Sequence, residues 1–76
     1  MKHSIKAFIY PDGGGYVAEC PDVNAVTQGD TLDETIANLK EVLALALKSE
    51  DPADYGLIAN PTILVIVELE PLARAG

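Results

Sequence analysis

The residues able to do chemistry in this chain are few. The carboxylates Asp12, Glu19, Asp22 and Asp30 are spaced along its first half. Clustered, such groups could hold two Mg²⁺ ions and cleave a phosphodiester. His3 stands near the start of the chain, with no Asp or Ser close in sequence to orient it as a general base. A surface or strand histidine is the better reading. Cys20 is the only cysteine. With an apolar neighbourhood and no paired histidine, it reads as either a nucleophile or a buried, inert thiol. One His and one Cys do not make a tetrahedral zinc site, so neither a metal nor a cofactor is expected. Gly13-Gly14-Gly15 could cradle a phosphate, but the Lys-Ser/Thr and the helix of a P-loop do not follow it. A hairpin turn accounts for it.

The elements that position these residues can be read from period and punctuation. Residues 3–10 (HSIKAFIY) alternate, with Ile5, Ala7 and Ile9 on one face and Lys6, Phe8 and Tyr10 on the other, which predicts a strand. Pro11-Asp12-Gly13-Gly14 predicts the turn, and residues 15–20 (GYVAEC) predict the return strand. Pro21-Asp22 breaks that strand, and residues 25–29 (AVTQG) predict a third, shorter one. Thr31-Leu32-Asp33-Glu34 has the form of a reciprocal capping box, with Asp30 as the competing cap. Leu32, Ile36, Leu39, Leu43, Ala46 and Leu47 then recur at helical spacing. Val42 and Leu45 widen the apolar face towards a second buried surface. Residues 49–61 read as a polar loop. Residues 62–69 (TILVIVEL) form a nearly unbroken apolar run, which predicts a strand buried on both faces in the middle of a sheet.

The expected architecture is a single α+β domain over residues 1–76, in the order β-β-β-α-β. A right-handed crossover through the helix lays the last strand parallel to the first. This gives a four-stranded mixed sheet of order 3-2-1-4 with the helix on one face. The other face is then bare in a monomer. Leaving large side chains there in water forgoes about 1.5–3 kcal/mol each, so a homo-oligomer, dimer or higher, is expected.

Twelve acidic and five basic residues give a net charge of -7. That surface disfavours direct nucleic-acid binding and favours encounter with a basic partner. On charge alone, Glu19, Asp22, Asp30 and Asp33 are the candidate partner-binding residues. No apolar stretch approaches the ~20 residues of a membrane span, and no signal peptide is seen. With one unpaired cysteine, these features lead us to expect a cytoplasmic protein.

Residues 15–43 carry a pattern that resembles the HicB-like antitoxin family. Its elements are Tyr16 and Ala18 in a strand, Pro21-Asp22, a short strand ending Thr27-x-Gly29-Asp30-Thr31, and a helix with Glu34-x-x-x-Asn38. The likeness extends through the preceding strand and is weakest over residues 50–76. It implies a partial ribonuclease-H-like fold and a role in neutralising HicA-like toxins, which are small basic mRNA-cleaving ribonucleases, by steric coverage. No catalytic residue of its own is implied. A ribonuclease-H-like nuclease would place a carboxylate inside the first strand, and residues 3–10 hold none. The sequence departs from the family at Asn24-Ala25-Val26, where a Pro-Gly-Cys-like triplet is frequent. Family members also typically continue into a DNA-binding domain; the resemblance here is to the solitary N-terminal type of domain, without that extension. The alternative is a stand-alone oligomeric scaffold or regulatory domain without a toxin partner.

Overall fold

A computed structural model describes residues 1–72. Four strands and one long helix follow the expected order: β1 (Lys2–Asp12), β2 (Gly15–Cys20), β3 (Ala25–Gly29), α1 (Leu32–Ser49) and β4 (Leu57–Val67). Short 3₁₀ turns at Pro21–Val23 and Pro52–Tyr55 precede β3 and β4. The sheet order is β3-β2-β1-β4, antiparallel except for the parallel β1–β4 pair.

β1 runs two residues beyond its predicted end. Asp12 pairs with Gly15 across a two-residue loop. Gly13 and Gly14 there have φ of 58° and 86°, the mirror-image turn whose twist suits a hairpin. Pro11 lies opposite Tyr16, one step from that closing pair. Pairs so placed exchange no main-chain hydrogen bonds, so the proline's missing N–H costs β1 nothing.

The core lies between the sheet and α1. Ile5, Ala7 and Ile9 of β1, Ala18 and Cys20 of β2, and Leu39 and Leu43 of α1 are buried, with Val23 and Leu57 closing one end. Thr35 is buried with them, although its polarity kept it off the apolar stripe read from the sequence. It is tolerated because its hydroxyl donates to the Thr31 carbonyl at 2.7 Å.

α1 begins where the capping residue dictates. Thr31 is extended, and its Oγ1 accepts from the Glu34 N–H at 3.1 Å. This is one arm of the expected box; Glu34 also lines a surface depression. The helix is seated on β3 and β2. At Gly29 the two backbones come so close that an added Cβ would lie 2.8 Å from the Thr35 nitrogen. Asn38 fixes the same contact, its Nδ2 donating to the Gln28 carbonyl at 2.8 Å.

Two expectations change at the C-terminal end. The segment read as a polar loop, residues 49–61, contains the Pro52–Tyr55 turn and the first five residues of β4. The apolar run that β4 carries lies at the edge of the sheet, not in its middle. β2 already occupies one side of β1, so the crossover can add a strand only on the other side, where no described strand follows.

Replacing Thr31 with Ala should lower stability by about 1 kcal/mol through loss of the cap, measured by urea unfolding, while Thr31→Ser should restore it. Gly29→Ala should cost about 1–3 kcal/mol, since backbone must separate to admit the methyl group. A Gly29→Ala protein as stable as the parent would show that α1 can be reseated freely.

Candidate functional site

The β1–β2 hairpin, the start of α1 and the residues after β4 meet at one end of the sheet. They enclose an open depression of about 660 Å³, lined by Pro11 to Tyr16, by Asp30, Thr31 and Leu32, and by Glu70. A contiguous hollow on the β3 side adds Gln28 and Glu34 to Asp12 and Asp30. Asp12 and Asp30 border both hollows at this end of the sheet, Glu70 the first and Glu34 the second, and no basic residue among those described lines either.

Each acid arrives there for a local reason. Asp12 closes the hairpin, Asp30 precedes the cap, and Glu34 lies in the first helical turn, where negative charge meets the positive end of the helix dipole. Glu70 is carried in by the parallel run of β4 beside β1. The Tyr16 hydroxyl donates to Glu70 Oε1 at 3.2 Å. The negative charge of Glu70 is the main cause that raises the Tyr16 phenol above its ordinary pKa, followed by desolvation and then by that hydrogen bond.

The structure separates the four residues chosen on charge. Asp30 and Asp33 are exposed at the start of α1. Glu19 is on the face of β2 turned away from the helix, opposite Phe8, where the Tyr10 hydroxyl donates to its Oε1 at 3.0 Å. That hydrogen bond is the largest cause raising the Tyr10 pKa. Asp22 sits at the other end of the sheet, in the turn after β2. One oxygen receives the Lys2 ammonium at 3.0 Å, and the other accepts the Lys6 N–H at 3.2 Å. The β1–β2 pairing begins only at Phe8–Glu19, so the Asp22 carboxylate takes the place of a β2 carbonyl for the next β1 amide. The Lys6 amide, then Lys2, hold its pKa below the ordinary carboxylate value. Asp22 is therefore a structural acid, bonded within its own chain. In the sequence Asp12 stood out only as a possible metal ligand in a turn and Glu34 only as a capping residue, so neither was chosen for partner binding, and no local signal places Glu70.

The other chemical candidates are placed plainly. Cys20 is fully buried, and desolvation raises its thiol pKa, which suppresses the nucleophilic thiolate at neutral pH. Gly13 and Gly14 form the hairpin loop, with a strand after it. His3 is exposed on β1. Among the described residues, no group of three or more His, Cys, Asp or Glu side chains is arranged to hold a metal ion. No described helix is long and apolar enough to cross a membrane.

No family model, characterised protein or solved structure matches this chain.

Asp22 gives a pH test. Its folded pKa is lowered, so its contribution is present above the unfolded carboxylate value and is lost as pH falls through the folded one. Asp22→Ala should melt below the parent at pH 7, and the two proteins should converge in acid beneath that range. A melting difference independent of pH would exclude the charged contact as its source.

Proposed function

We propose that this chain is a protein-binding module of the HicB-like antitoxin type, which neutralises a small basic mRNA-cleaving ribonuclease of the HicA type by covering it. The observation that carries the reading is the acidic concave end, where Asp12, Asp30, Glu34 and Glu70 gather without a described base among them. A carboxylate rim of this kind attracts a cationic surface, speeds its encounter and orients it. The net charge of -7 extends the attraction beyond contact distance. The pattern across residues 15–43 supports the same class, since Thr31, Glu34 and Asn38, which carry the resemblance, also set where α1 starts and how it sits on β3. A stand-alone self-associating scaffold is the second reading, favoured by the exposed apolar residues of β4.

The test is co-expression and pull-down with the basic, single-domain product of a neighbouring reading frame. A complex should form at low salt and weaken steeply as salt rises. The Asp12→Lys/Asp30→Lys double variant should bind at least about tenfold more weakly, with a shallower salt dependence, while Glu41→Lys on the exposed side of α1 should bind normally. No affinity even at low salt would end the antitoxin reading. Unchanged affinity in the double variant would move the contact away from the acidic end.

A further inference from the structure

Among the described residues, the second half of β4, residues 62–67, is an edge segment without the usual protection. Edges are commonly blunted by charge, by proline or by a covering loop, because their free main-chain groups template pairing with another chain. Residues 62–67 (TILVIV) carry no charge and no proline, in a chain whose net charge is -7. Both faces of the strand are under-covered. α1 is seated over β3 and β2, which leaves Ile63 and Val67 over one-third exposed on the helix side. On the opposite side Leu64 is 49% and Ile66 48% exposed, beside Phe8 at 39%.

The free main-chain groups can be assigned. The Glu68 N–H donates to the Ile9 carbonyl at 2.7 Å, so it faces β1. Orientation alternates along a strand, so Ile63, Val65 and Val67 turn their N–H and C=O groups outward.

We infer that this edge is the site at which a second copy of the chain adds, β4 against β4 in antiparallel sense, to make one continuous eight-stranded sheet. A two-fold axis normal to the sheet reverses strand direction and keeps both helices on the same face. A two-fold along the strand would set each outward N–H against its own copy, so the closed dimer is antiparallel. Register follows from side chains. Centring the axis on Val65 pairs Val65 with itself, Ile63 with Val67 and Leu64 with Ile66. All of these are apolar pairs, mostly β-branched, which favours a ladder. Glu68 then lies opposite Thr62, and the two copies of Glu68 stand about 20 Å apart, beyond the screening length at physiological salt. Shifting the centre to Leu64 sets Pro61, which has no N–H, opposite an outward-facing Val67; shifting it to Ile66 sets Glu68 against Leu64. The neutrality of the strand selects a second copy: two bodies of like charge meet best along the segment that carries none. The inference needs no toxin and stands apart from the antitoxin reading.

The experiment is size-exclusion chromatography with light scattering on the full chain, combined with amide hydrogen exchange by NMR. A dimer mass is expected at micromolar concentration. The amides of Ile63, Val65 and Val67 should exchange at least about tenfold more slowly in the dimer than after dilution to monomer, while those of Leu64, Ile66 and Glu68 stay protected in both. Val65→Pro removes an outward N–H, and with it part of a half-buried side chain, and should give a folded monomer; if that variant does not fold, the exchange pattern of the parent protein decides. A strict monomer at 100 μM or so would overturn the inference. So would a dimer whose 63, 65 and 67 amides exchange freely, which indicates stacking of sheet faces, a Val65→Pro protein that folds and stays dimeric, or protection of those amides only when a different protein is added.

Discussion

The close approach of α1 to β3 at Gly29 is the contact on which the rest of the molecule depends. A side chain at Gly29 would collide with the Thr35 backbone, so the helix can rest there only because the residue is glycine. The Thr31 cap and the Asn38 bond to Gln28 hold the same junction from either side. With its first turns fastened over β3 and β2, α1 reaches the core through Leu39 and Leu43 and leaves β4 largely uncovered. The start of the helix also brings Asp30 and Glu34 to the hairpin that carries Asp12.

Two surfaces of opposite character result. One end of the sheet gathers carboxylates around a concavity, and the long edge beside it is neutral and apolar. Charge repels like copies and draws cations, whereas an unpaired neutral strand offers main-chain hydrogen bonds to any chain that can match it. Separating the two would let the inferred self-pairing and the proposed recognition of a basic partner use different places without competition. Asp22 belongs to neither surface, because its carboxylate completes the hydrogen bonding of β1.

Two expectations for the last strand disagree, a central strand from its apolar run and an edge strand from the order 3-2-1-4, and the structure bears out the second. An unalternating apolar run signals that neither face meets water, and local pattern cannot tell whether the chain itself or another molecule provides the cover. Order 3-2-1-4 followed from connectivity and the handedness of the crossover, and it places residues 62–67 at the edge. Within the described residues the cover is missing, and the inferred β4–β4 pairing would resolve the conflict between pattern and position. The loop expected over residues 49–61 failed for a related reason: Leu57 is fully buried and starts β4 early, and Pro61 could be absorbed into the strand because it lies on an edge.

Elements and their order were legible in the sequence because they rest on short-range physics. Alternation over residues 3–10, glycines in the turn, a threonine cap and helical spacing each act within a few residues. The role of Glu19, Asp22, Asp30 and Asp33 was not legible, because their charge is the same wherever the fold carries them. Only the tertiary structure put Asp22 under the Lys6 amide and left Asp30 on a rim with Asp12, Glu34 and Glu70. Glu70 comes within hydrogen-bonding distance of Tyr16, 54 residues away in sequence, because β4 runs parallel to β1. The sequence by itself determined which segments are strands and helix, and how apolar the last strand is. Long-range pairing decided which face each acid shares and which strand is left without a neighbour, since both depend on contacts between residues far apart in the chain.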